Sequence, residues 1–189
     1  MSQELDTTAR AVLDAARASV LAFGVRRMAL TDVAGRAGVS RMTVYRRFGG
    51  VDGVLRALLT RELAVLIPGG PPAPGTDDRG LGVRLADVAA RLRAHPLLAK
   101  VRRDEPELLA PYVLERLGAT QRHAVAALTR DVADAQSRGE APPGDPALLA
   151  HVLLLVVQAF VLSAGIDPDL PAGRVMGELR PLLERVLSP

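Results

Sequence analysis

The chain has 189 residues, 49% of them hydrophobic, which fits one ordinary domain or a small module joined to a larger one. It has no cysteine, so disulfides and thiolate chemistry are excluded and a metal site would have to rely on three histidines and carboxylates. The net charge of +3 is unevenly spread: residues 1–62 hold ten arginines against six acids, and the remainder holds fourteen basic residues against fifteen acids.

The opening MSQELDTTAR has no basic stretch followed by an apolar one, so no secretory leader is expected, and the lack of cysteine suits a reducing, cytoplasmic setting. Nearly every segment reads as helix, because aromatics are few, period-two alternation is absent and no Asn-Gly or Asp-Gly turn occurs. Ala9, Val12, Leu13, Ala16, Val20 and Phe23 recur at spacings of three and four, which predicts one face of a first helix ending at Gly24. Two short helices follow. Val54, Leu55, Leu58, Leu59, Leu63 and Leu66 predict a fourth helix over 51–67, stopped by Pro68. PGGPPAPG (68–75) reads as a helix-free loop, either a linker between domains or a loop within the larger one.

Beyond it, Leu81, Leu85, Val88, Ala89 and Leu92 predict a fifth helix, and prolines 96, 106 and 111 break the next stretch into short pieces. His95, before Pro96, reads as a helix-end residue, since no second ligand lies at metal spacing. Positions 112–138 predict one long amphipathic helix carrying Val113, Leu117, Val125, Leu128 and Val132, with Gly139 just past its end. After a second loop, APPGDP (141–146), Asp145-Pro146 is a helix start: Asp accepts orphan N–H bonds and Pro has none to offer. Residues 147–166 carry no charge. That run is long enough to cross a bilayer, but His151, Gln158, Ser163 and Gly165 interrupt it. Its flanks are acidic (Asp145, Asp167) and no Lys or Arg lies near its ends, so a buried or interface helix is expected and no membrane partner. A last helix carries Val175, Leu179, Leu182 and Val186, with Met176, Leu183 and Leu187 beside them and Pro181 placed to kink it.

The informative stretch is ALTDVAGRAGVSRMTVYRRF (29–48). Thr31 is placed to cap a helix running to Ala37, with Asp32 in its first turn and Val33, Ala34 and Ala37 on its inner face. Gly38 suits the left-handed turn that ends it, and Val39 packs inward from that turn. Ser40 caps the next helix, on which Val44 and Phe48 face inward one turn apart. Small Ala34 and Ala37 allow the close approach a short turn demands. This is the helix-turn-helix pattern, whose second helix is free to enter a major groove. Arg41, Met42, Thr43, Tyr45, Arg46 and Arg47 remain outward on that helix. A cation at Arg41 opposes the helix dipole at a cost of a few tenths of a kcal/mol, which a nearby phosphate or guanine offsets. Arg46 and Arg47 already favour the dipole, and Tyr45 fits either a phosphate and sugar or a packing role on the first helix. Arginine abundance itself carries no weight: every basic residue except Lys100 is arginine, a bias that GC-rich coding produces unaided.

These residues resemble the DNA-binding domain of TetR-family transcriptional repressors over positions 5–66. The resemblance rests on Phe23-Gly24, the TDVAGRAGVS run, Tyr45 and Phe48 in TVYRRF, and Leu55 on the helix that follows. Two positions depart from it. Arg47 stands where the family often has His, and Val51 where it often has a phosphate-contacting Lys, leaving Arg47 or Arg56 as candidate substitutes. The resemblance implies an all-α chain of about nine helices: a three-helix helix-turn-helix domain at 1–50, extending to 66 with the connecting helix, and an effector-binding and dimerisation domain at 51–189. It implies a homodimer through residues 145–187, a small-molecule effector held among the fifth to eighth helices, and a near-palindromic double-stranded operator. Pro181 is unusual for a straight dimer helix. Arg41, Met42, Thr43 and Arg46 are the expected base readers, and Thr31, Tyr45 and Arg47 the expected phosphate contacts.

For the effector, only Tyr112 and Phe160 are aromatic beyond the first third, so an aliphatic pocket is expected, with Tyr112, His123, His151 and Gln158 as candidate polar groups. No metal or cofactor is expected, and no enzyme activity. The chain has no nucleophile elbow, phosphate-binding glycine loop or His/carboxylate metal spacing, and Asp77-Asp78 and Asp104-Glu105 read as solvated pairs and caps. The alternative is a DNA-binding protein without a ligand, whose C-terminal domain only dimerises or contacts another protein.

Overall fold

The computed structural model describes residues 2–67 and 80–189, with side chains from Thr7 onward. The predicted loop 68–75, with Pro68, and the Asp77-Asp78 pair lie outside the described residues. The described residues form helices and connecting turns, with no strand among them. The chain divides into two compact units: Met1–Leu63 with His95–Arg116, and Ala64–Ala94 with Leu117–Pro189.

In the first unit, α1 (Ser2–Phe23) buries Val12, Ala16 and Val20 against α2 (Leu30–Arg36), α3 (Arg41–Phe48) and α4 (Val51–Ala64). Gly24, at φ +89°, stops α1 while its N–H donates to the Val20 carbonyl at 2.9 Å. Phe23, expected on the inner face, is 54% exposed instead, because the chain reverses at Gly24 and Val25 and Met28 fill that end of the core. Helix α4 ends at Ala64, before the expected 67. Helix α6 (Pro96–Asp104), a 3₁₀ turn (Pro106–Leu108) and α7 (Ala110–Leu114) also belong to this unit, and Leu97 and Val101 complete its core. Each piece has a proline in its first two positions, where a missing N–H costs nothing.

In the second unit, α5 (Leu81–Ala94) packs against α9 (Pro146–Ser163) and α11 (Leu179–Val186), and α8 (Ala119–Ser137) lies along α9. The single helix expected over 112–138 is two, separated at Glu115–Gly118. The Arg116 N–H returns to the Pro111 carbonyl at 3.0 Å to close α7, and the Gln121 side chain accepts the Gly118 N–H at 2.7 Å to open α8. Apolar spacing ran on across this break, although Val113 is exposed. Asp145 starts α9 as expected, its carboxylate accepting from the Ala147 N–H at 2.8 Å. At the other end the Arg93 guanidinium donates to the Val161 carbonyl at 2.7 Å, in the last turn of the helix.

Helix α9 has the length and composition to cross a membrane, and 28% of it is buried inside the chain. The C-terminal helix is interrupted at Glu178, between α10 (Ala172–Gly177) and α11. Pro181 has no N–H for the carbonyl of Gly177, which its ring would crowd. The interruption changes the phase of the apolar face. Leu179, Leu183 and Leu187 are buried, whereas the expected Val175, Leu182 and Val186 are half-buried.

The interior of this unit also holds a charge. Asp131 on α8 is 8% exposed, Arg84 of α5 reaches its Oδ2 at 3.5 Å, and its Oδ1 has no hydrogen-bond partner. Burial raises the Asp131 pKa by more than Arg84 lowers it. The folded chain therefore holds that proton more tightly than the unfolded chain, so this residue's contribution to stability falls as pH rises through the raised value. Asp131→Asn is expected to raise the thermal midpoint at pH 7. That gain should vanish as the pH falls below the ordinary aspartate range; an equal gain at both pH values would refute the assignment.

Candidate nucleic-acid interface

Val33 and Ala34 of α2 and Val44 of α3 are buried in the first unit's core, with Ala37, Val39 and Phe48 packed against them. Gly38 turns the chain at φ +68°, as its position predicts, and the Val39 N–H returns to the Ala34 carbonyl at 3.0 Å. Ser40 caps α3 as expected, its hydroxyl accepting from the Thr43 N–H at 3.1 Å. Thr31 is not a cap. Helix α2 starts two residues earlier, with Ala29 at the cap position and no side-chain bond there, because burying Leu30 draws it into the first turn. Thr31 stands exposed on that turn.

The outer side of α3 is open. Met42 is 62% and Tyr45 55% exposed, and Arg41, Arg46 and Arg47 are exposed beside them. The packing role for Tyr45 is therefore not adopted. Thr43 is half-buried, with its hydroxyl 2.9 Å from that of Ser40. Three other arginines of this unit are neutralised: Arg17 and Arg61 bond Glu62 at 2.8 and 2.9 Å, Arg61 bonds Asp14 at 2.8 Å, and Arg26 bonds Glu107 at 2.8 Å. Burial alone would raise the Glu62 pKa, but the bonds from Arg17 and Arg61 outweigh it and hold the carboxylate below its ordinary range. The three arginines of α3 make no ion pair among the described residues, so their charge faces outward uncompensated.

Gly53 fixes how α4 leaves this motif. A Cβ there would lie 1.5 Å from the carbonyl oxygen of Phe48, so α4 crosses the end of α3 at a distance that only glycine permits. A glycine inside a helix costs about 1 kcal/mol, a sign in the sequence that this position has a packing reason. His95 stands at the start of α6, the helix-end position expected, with Nε2 3.8 Å from Glu62. Glu105, read as a solvated cap, is 5% exposed and bonded to the loop after α1.

The residues expected to bind an effector fall in both units. Tyr112 lies on α7 in the first unit, and His123 and His151 are exposed on α8 and α9. Gln158 is half-buried and accepts a hydrogen bond from Gln121.

The model of the family "Bacterial regulatory proteins, tetR family" matches residues 12–58, which span the helix-turn-helix just described. An HTH-type transcriptional regulator of Mycobacterium bovis is 35% identical over 180 residues, covering 95% of this chain and 94% of its own. Among solved structures, a TetR-family transcriptional regulator from Pectobacterium atrosepticum superposes with a TM-score of 0.72 at 19% identity, over 99% of this chain and 95% of that one. The SmeT–triclosan complex gives 0.58 at 22% identity, over 96% and 92%. Open α3, its buried counterface and these matches lead to one conclusion: the chain belongs to the TetR family of bacterial regulatory proteins and is a DNA-binding transcriptional regulator, not an enzyme.

Proposed function

We propose that two copies of this chain bind a near-palindromic operator as a cytoplasmic repressor and release it when a small molecule binds the second unit. The observation that carries the DNA-reading part is the free, uncompensated arginine face of α3 above a fully buried Val44. In this reading Arg41, Met42, Thr43 and Arg46 meet base edges, and Thr31, Tyr45 and Arg47 meet phosphates. Thr43, tied to Ser40, is the least free of these.

The dimer reading is supported by α9. Leu148, Val152 and Leu155 are exposed at successive turns of one face, on a helix without a charged residue. A chain in water covers such a face, and a two-fold axis through the α9–α11 region lets one copy cover the other's. The effector reading is supported by the SmeT–triclosan complex, a same-fold protein holding a small molecule. Ligand release then follows from linkage: a ligand preferring the wrongly spaced dimer lowers DNA affinity, and DNA lowers ligand affinity by the same factor.

Selecting duplexes from a random pool with the purified protein tests the first part, and a two-fold symmetric consensus is the expected result. On that duplex Arg41→Ala is expected to lose about 1–3 kcal/mol of binding and relax the preference at one position per half-site. Unchanged affinity and preference would remove Arg41 from the reading. A thermal-shift screen tests the effector, whose binding raises the melting midpoint by mass action.

A further inference from the structure

We infer that Glu105 is a positioning residue for DNA binding: its buried carboxylate holds the α1–α2 loop and so sets how the helix-turn-helix sits on α1. Three observations carry this. Glu105 closes α6, is 5% exposed, and its Oε1 accepts the backbone N–H of Arg26 at 2.8 Å. The loop leaves α1 at Gly24, whose φ of +89° is a backbone conformation that favours glycine and turns the Arg26 amide back toward α6. The Arg26 side chain is held in parallel, its guanidinium on Glu107 at 2.8 Å. The same carboxylate row thus grips one residue by backbone and side chain.

The physical consequence follows from position. Residues 24–29 are the whole connection between α1 and α2, and α2 fixes α3 through their shared core. An unbonded Arg26 amide beside a buried carboxylate would leave both groups unsatisfied, so the loop has one well-defined state. Geometry that must present several side chains to a groove together is sensitive to a small rotation of such a loop. Glu105 lies 79 positions along the chain from Arg26, well beyond the helix-turn-helix, and reaches it because α6 folds into the same unit.

The inference rests on α3 docking on DNA, and the test separates the two. Full-length wild type, Glu105→Ala, Glu105→Gln and Glu105→Asp are titrated against a fluorescent duplex selected by the wild type, below the melting midpoint of each. Glutamine keeps a carbonyl oxygen at the same reach and aspartate falls short by one methylene. Alanine and aspartate are therefore expected to weaken binding at least about tenfold while glutamine stays within about threefold of wild type. Hydrogen exchange at the Arg26 amide should accelerate in the same two variants and not in glutamine. Should alanine fail to fold, the glutamine–aspartate contrast decides. Wild-type affinity in folded alanine or aspartate protein, or a glutamine variant as impaired as aspartate, would overturn the proposal while leaving DNA binding by α3 intact. Wild type that ignores DNA would instead overturn the docking reading.

Discussion

Leu97→Ala is expected to destabilise the helix-turn-helix unit by about 2–5 kcal/mol, the range for a large-to-small change in a packed core. Leu97 is 1% exposed and shares a core with Val12, Val20, Val44 and Leu58, although it lies beyond every residue of the matched family segment, 12–58. Hydrogen exchange read separately on α1–α3 and on α8–α9 would localise the loss: protection should fall in α1–α3. Unchanged protection there would mean that α6 is no structural member of the DNA-binding unit. By the same reasoning a fragment ending at residue 66 lacks Leu97 and Val101 and keeps Val20 and Leu58 with an open side, so it should unfold at lower denaturant than the intact chain.

The second large effect concerns association. Val152→Glu combined with Leu155→Glu places two charges on a face that is exposed in the single chain, so the fold should persist. In the proposed dimer the same charges would be buried against their symmetry copies, which association cannot tolerate. The expected outcome is a folded monomer by light scattering whose affinity for the symmetric duplex drops about 100-fold or more, because the avidity of two linked half-site contacts is lost. A double variant that remains dimeric, or a monomer that binds as well as wild type, would remove α9 from the dimer interface.

These two predictions draw on different kinds of information. Local rules identified the helix-turn-helix: Ser40 caps, Gly38 turns left-handed, and Val33 and Val44 face inward, all read within a window of about twenty residues. The Asp145-Pro146 start of α9 and the proline-initiated pieces after His95 were legible for the same reason. Errors came where local signals were degenerate. Thr31 outranks Ala29 as a cap, but burying Leu30 started α2 earlier. Apolar spacing at 113 and 117 fits one helix or two, and only the bonds at Arg116 and Gly118 separate them.

What the sequence determined by itself, then, is the all-helical class and the DNA-reading motif, because propensity, caps and periodicity act between residues close along the chain. The tertiary structure decided what depends on distant partners. It joined α6 to the first unit through Leu97 and Val101, buried Glu105 against the Arg26 amide, required glycine at 53 beneath the Phe48 carbonyl, and kept His123 and His151 at the surface. A carboxylate reads the same in a string whether it meets water or a backbone N–H from 79 positions away. Only packing brings the donor to it, and the desolvation that packing imposes makes the bond matter.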